Sequence, residues 1–257
     1  MSFRWRGRLG RREGVVHTDF RQYLADLSAA AGVGQAVAFF DLDRTVIAGY
    51  SVAALAWERM RSGYVPLRHL LSSAGAFLGY GLGRNDYHEL LTTTIRDLAG
   101  ESEDTLVQLG ERAFRSRVQG WIYAEARHLV NSHRSLGHHV VILTSATRFQ
   151  AAPIARELDV DALSCTEVEV SEGCVTGKAL PCFGAGKRAM AERLLDDCGA
   201  ELRDAYFYSD SSDDLPLLEA VGRPVVVNPK PAMARLAAAR GWPCLVFESP
   251  TMNGTAA

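Results

Sequence analysis

No run of about 18 uninterrupted apolar residues occurs in the 257-residue chain, so no transmembrane helix is expected. The five cysteines, Cys165, Cys174, Cys182, Cys198 and Cys244, form no CxxC pair and no Cys/His zinc spacing. That excludes a disulfide framework and a zinc module, and suits reduced thiols in a cytoplasm. Neither sign of charge dominates: the formal net charge of −2 argues against a dedicated nucleic-acid binder. The arginines near the start have no apolar run behind them, so no secretory signal is expected. Repeats and low-complexity tracts are absent. What remains is an ordinary globular composition, 47% hydrophobic and 23% charged, long enough to bury a core.

Residues 1–13 hold five arginines and one acid and read as a solvated tail. Phe20, Tyr23, Leu24 and Leu27 recur at helical spacing, predicting a helix over 18–31. The run Ala36–Phe40 predicts a buried parallel strand. Residues 50–135 then change character: the pattern is helical throughout, with breaks near Gly63–Pro66, Gly79–Gly83 and Gly100–Ser102. Strand signals return at 140–143, 205–208 and 224–227, alternating with helical stretches near 148–158, 185–197, 213–221 and 231–240. A hairpin is expected around Ser171-Glu172-Gly173. The fold class is therefore α/β, a Rossmann-like three-layer core with a parallel sheet plus an all-helical cap inserted after the first core strand. The expected divisions are an N-terminal tail and helix (1–34), a core (35–48 and 137–257) and a cap (49–136). The apolar segment 65–83 fits a packed helix of that cap better than a lipid-touching surface.

Three of the predicted strands end in polar residues. The first runs into Asp41-Leu42-Asp43, the second into Thr144-Ser145-Ala146-Thr147, and the third into Ser209-Asp210-Ser211-Ser212-Asp213-Asp214. Carboxyl ends of parallel strands share one edge of a sheet, which would bring these groups together. Neighbouring carboxylates repel unless a cation or proton is shared between them, and Lys187 supplies one positive charge among many acids. The set suits phosphoryl transfer to a carboxylate nucleophile. A phosphate monoester repels a carboxylate, so attack needs a divalent metal and other positive groups to offset the charge. Mg²⁺ suits an all-oxygen site.

These residues resemble the haloacid dehalogenase superfamily of phosphohydrolases. Its Asp-x-Asp-x-Thr motif stands here as Asp41-Leu42-Asp43-Arg44-Thr45, its Ser or Thr after an apolar strand as Ser145, its lysine as Lys187, and its Asp-x-x-x-Asp as Asp210 and Asp214. All four occur in the family's order. The placement of the helical insertion is similar to the phosphoserine-phosphatase-like branch. The resemblance implies that Asp41 is the nucleophile and Asp43 the general acid and base. It implies that Mg²⁺ is held by Asp41, Asp43 (through its main-chain carbonyl) and Asp210, that Ser145 and Lys187 contact phosphate, and that Asp214 stands behind them. The implied partner is a small-molecule phosphate ester, with no nucleic acid and no stable membrane insertion; monomer and homodimer both stay open.

Two departures bear on the substrate. Phosphoserine phosphatases place a Glu after the first motif and an Arg in the cap to hold the amino acid; here Tyr50 stands at the first position, and Arg96 lies near the second but out of register. Losing both anchors would leave a zwitterion poorly held. Tyr50 and Arg96, with Trp57 and Tyr80, are candidates for the substrate side of the cap, although helix aromatics are more often core. The alternatives left open are a lipid-derived or phosphocholine-like phosphate as substrate, and a phospho-aspartate signalling or binding module without turnover.

Overall fold

Strand residues of this chain are apolar at consecutive positions, and the alternation of side chains sends them to two different cores. A computed structural model shows this for residues 9–12, 15–29, 36–63 and 87–248, the residues it describes. The expected helix over 65–83, with Tyr80, and Arg4, Arg6 and Arg8 lie outside them. In chain order the elements are β1 (Leu9–Arg12), β2 (Val15–Thr18), α1 (Phe20–Ala29), β3 (Val37–Phe40), α2 (Ser51–Arg61), α3 (Tyr87–Arg96), α4 (Glu103–Ser116), a 3₁₀ turn (Val118–Trp121) and α5 (Ala124–Ser135). There follow β4 (His139–Thr147), α6 (Arg148–Leu158), β5 (Ala162–Ser171), β6 (Cys174–Leu180), α7 (Ala185–Cys198), β7 (Tyr206–Ser209), α8 (Leu215–Leu218), β8 (Arg223–Val227), α9 (Pro231–Arg240) and β9 (Cys244–Leu245).

Seven strands form one sheet in the order β6-β5-β4-β3-β7-β8-β9. All neighbours are parallel except β5 and β6, the expected hairpin. Ala38, Phe40, Val140, Ile142, Tyr206 and Tyr208 face one core with α1, α5 and α6. Val37, Phe39, Val141, Leu143, Ala205 and Phe207 face the other, with α7, α8 and α9. Helices on both faces make the three layers the sequence predicts. No helix among the described residues is long and apolar enough to cross a membrane.

Two local expectations need correction. Residues 9–12 pair antiparallel with 15–18, so this part of the arginine-rich start is a strand rather than a free tail. Thr18 Oγ1 accepts from the Cys244 amide at 3.2 Å, which ties the hairpin to the edge strand β9. The last helix of the expected cap, α5, buries Ala126, Leu129, Val130 and His133 in the core beside the sheet, so it belongs to the core layer. Its apolar spacing was legible; which partner it meets was not.

The remaining inserted helices sit over the β5–β6 hairpin and α6. Leu55, Leu98, Leu106, Leu109, Phe149, Val168 and Val175 form a third apolar cluster. The Gly100 amide donates to the Val175 carbonyl at 2.8 Å, and the Glu103 amide to that of Gly173 at 2.9 Å. A Cβ at Gly110 of α4 would stand 1.9 Å from the Phe149 carbonyl oxygen, so only glycine permits this close crossing.

Candidate active site

The first motif leaves β3 in a tight turn. The amides of Thr45, Val46 and Ile47 all donate to the Leu42 carbonyl, at 3.3, 2.9 and 3.0 Å. The turn forces Arg44 to φ 64°, the left-handed region that costs any residue with a Cβ free energy. The Asp41 amide donates to the Tyr208 carbonyl at 2.9 Å, so the carboxyl ends of β3 and β7 are locked side by side. That lock brings the first and fourth motifs together.

Asp41, Asp43, Ser145, Lys187, Asp210 and Asp214 all line one cavity of about 330 Å³. Lys187 is 2% exposed; its Nζ donates to Asp41 Oδ1 and to Asp214 Oδ2, both at 2.9 Å. The Ser209 hydroxyl donates to Asp214 Oδ2 at 2.6 Å. The Ser51 amide, at the start of α2, donates to Asp43 Oδ1 at 2.8 Å, so the inserted helix begins by gripping the second aspartate. Ser145 lies within β4, where its carbonyl accepts from Thr166 Oγ1 at 2.8 Å.

Two residues at this site, Arg44 and Asn228, went unread in the sequence, and Thr45 was read there only as a motif position. Arg44, the variable position of the first motif, donates from Nε to Asp210 Oδ2 at 2.8 Å. Thr45 Oγ1 accepts from the Asp210 amide at 3.1 Å. Asn228 Nδ2 donates to the Arg44 carbonyl at 3.3 Å while its Oδ1 accepts from the Phe247 amide at 2.8 Å. A charged residue between two motif positions was the only signal for Arg44; Asn228 gave none. Tyr50 also lines the cavity. Arg96 does not. It is exposed at the end of α3, its Cα beside Gly177 of β6, because the hairpin bonds that anchor Gly100 hold the helix end there.

Electrostatics of the cavity are one-sided. Burial pushes the Asp41 carboxyl up; Lys187 pulls it back, and Asp214 and Asp210 push it further. Burial lifts Asp43 to about 6 against the Ser51 amide. Asp210 is raised by burial, with Arg44 opposing, and Asp213 is raised by burial and by Asp214. Burial works against the charge of Lys187, yet Asp214 and Asp41 hold it protonated.

Such a cluster carries more acid than its own cations offset. Among the described residues no three Asp, Glu, His or Cys side chains form a metal cage. Two carboxylates, Asp41 and Asp210, on adjacent strand ends nevertheless suit a hard divalent cation that keeps several waters and takes few protein side chains. The donor set therefore fits Mg²⁺.

The sequence profile described as haloacid dehalogenase-like hydrolase matches residues 38–219. A Mycobacterium tuberculosis protein named "probable phosphatase" is 34% identical, over 83% of this chain and 76% of that one. A protein of Neisseria meningitidis named histidinol-phosphatase is 30% identical, over 82% of this chain and 99% of its own. The crystal structure of a protein of unknown function from Bordetella pertussis superposes with a TM-score of 0.76 at 31% identity, covering 83% and 99% of the two chains. A phosphoserine phosphatase solved as a phospho-aspartyl intermediate analogue shares the fold, with a TM-score of 0.62 at 15% identity over 84% and 95% of the chains.

Proposed function

We propose, from the premise that this chain belongs to the haloacid dehalogenase-like hydrolase family, that it is a phosphomonoester hydrolase working through an aspartyl phosphate on Asp41. The observation that carries the reading is Lys187, buried and bridging Asp41 and Asp214 at 2.9 Å in a cavity that also holds Asp43, Ser145 and Asp210. One carboxylate oxygen of Asp41 is held by the lysine, and the other attacks phosphorus. The ester P–O bond breaks, and its electron pair leaves with the alkoxide, which takes a proton from Asp43. A carboxyl lifted to about 6 and fixed by the Ser51 amide suits a group that must donate a proton and then accept one. In the second half Asp43 accepts a proton from water as that water attacks phosphorus, which frees phosphate and Asp41. Ser145 and Lys187 hold the phosphoryl oxygens, and Asp214 keeps Lys187 charged and aimed. Asp41, Asp210 and the Asp43 main-chain carbonyl would hold Mg²⁺, which when bound would supply the charge neutralisation that lets two anions meet.

The substrate is a small organic phosphate other than phosphoserine. Tyr50 stands at the cavity where an acid would hold an ammonium group, and Arg96 lies outside it. The test is phosphate release in Mg²⁺ from amino-acid, sugar, nucleotide and lipid phosphates, with EDTA and Asp41→Asn as blanks. Loss of all turnover in both blanks is expected. Substantial turnover by Asp41→Asn would overturn the nucleophile, and full activity in chelator the metal.

A further inference from the structure

We propose that the outward face of α2 binds the apolar part of an amphiphilic phosphate monoester whose phosphate lies in the acid-lined cavity. The inference rests on the phosphatase reading above and narrows its substrate class. Helix α2 has two faces of different use. Ser51, Ala54, Leu55, Glu58 and Arg59 are buried against the rest of the protein. Tyr50, Ala53, Trp57 and Met60, spaced three, four and three residues apart, share the opposite side and are exposed.

Tyr50 is 42% exposed, Trp57 47% and Met60 42%. Single exposed hydrophobic residues need no explanation, whereas a row of large ones on one helix face marks a place where something apolar lies. The row is continuous with the catalytic cavity because Tyr50 belongs to both: it lines the cavity and heads the row. The Arg117 guanidinium sits 4.6 Å from the centre of the Trp57 ring, which orients a ring that is still 47% exposed.

The cavity sets the geometry of such a ligand. Its volume is about 330 Å³, and Asp41, Asp43, Asp210, Asp213 and Asp214 line it. A phosphate and a cation use that acidic space, so an apolar leaving group is driven out past Tyr50. From Tyr50 to Met60 a helix rises about 15 Å, the reach of an alkyl chain of about eight to twelve carbons.

The experiment compares kcat/KM for ethyl, octyl and dodecyl phosphate in Mg²⁺, each below its micelle concentration. Burial of methylenes on the row should raise kcat/KM about tenfold or more from ethyl to octyl and level off near dodecyl. Trp57→Ala and Met60→Ser should each cut the octyl-to-ethyl ratio at least about threefold, with Trp57→Phe recovering most of it. The ratio is taken within each variant, so a general loss of activity cancels. A wild-type ratio near one, or a high ratio that survives both substitutions, overturns the proposal. A flat ratio with a Trp57-dependent dimer in sedimentation assigns the row to a second copy; a flat ratio in a monomer means the chain itself covers it; both overturn it. If no ester is cleaved, calorimetry with octylphosphonate and ethylphosphonate separates the claims: Trp57-dependent preference for the longer ligand keeps the surface while the hydrolase reading falls, and equal binding removes both.

Discussion

Tyr208 and Ser209 are neighbours on β7 and point to opposite faces of the sheet, into two buried polar networks of opposite design. On one face the Tyr208 hydroxyl meets Tyr23 Oη at 2.7 Å and His133 Nε2 at 2.8 Å, and His133 Nδ1 meets His138 Nδ1 at 2.7 Å. Every link there is neutral. Burial pushes His133 down to about 3 and raises both tyrosines, so none of them ionises near neutral pH. On the other face Ser209, Asp214, Lys187 and Asp41 form a charged chain. The neutral chain satisfies its own donors and acceptors. The charged one has carboxylates left over. A network that closes on itself holds strands together; one with surplus charge is built to receive something. The two meet through the backbone, where the Tyr208 carbonyl accepts from the Asp41 amide.

Removing one group from each side should separate the designs. Lys187→Met leaves Asp41 and Asp214 buried without their cation, which should cost about 3–5 kcal/mol in urea unfolding without metal. Tyr208→Phe removes a neutral hydroxyl with two partners and should cost about 1–3 kcal/mol. Turnover should vanish in the first and persist in the second. A larger stability loss in Tyr208→Phe, or a loss of turnover equal to that of Lys187→Met, would break the distinction.

The two networks differed just as much in how far the sequence revealed them. Asp41, Asp43, Ser145, Asp210 and Asp214 were readable because acids and hydroxyls stand at strand ends and the sheet edge collects them; Lys187, in the first turn of α7, stood out as a cation among many acids and as the lysine of the resembled family. Strand order and layers followed from apolar runs alternating with helical spacing. The neutral chain was invisible. No spacing or motif links Tyr23, His133, His138 and Tyr208; only tertiary packing brings residues 185 positions apart within 2.7 Å. Helix α5 was misplaced for the same reason, since spacing gives an apolar face but not its partner. Arg44 was missed because its role depends on a backbone turn that forces φ 64°.

Acidification should act on the two faces with opposite signs. His133 has a folded pKa of about 3 against 6.5 for the free side chain, so between those values the unfolded chain binds a proton that the native state refuses. Stability from this group is complete above pH 6.5 and falls as pH drops toward 3, by at most about 1.4 kcal/mol per pH unit. Asp43 is raised to about 6 from 3.8, so it takes up its proton first in the folded state and adds stability as pH falls through 6 toward 4. Urea titrations at pH 7 and pH 5 in EDTA should show His133→Gln destabilising less at pH 5 than at pH 7. An equal cost at both would mean that His133 is not held neutral.

The smallest effect on stability is expected at Arg44, on the rim of the charged network. Its side chain is 34% exposed, and a pair with Asp210 so close to solvent contributes about 0–1 kcal/mol. Arg44→Gly loses that pair but relieves a left-handed backbone, a strain of about 1 kcal/mol or more, while adding about 0.5–1 kcal/mol of glycine entropy. These terms nearly cancel, so urea unfolding should change by about 1 kcal/mol or less. Metal binding should respond more clearly. The guanidinium occupies Asp210 Oδ2 at 2.8 Å, and removing a positive charge from beside a proposed cation ligand should tighten Mg²⁺ binding several-fold in calorimetry. Weaker binding in Arg44→Gly would instead show that the arginine aims Asp210 at the metal, and that orientation outweighs charge at this edge of the site.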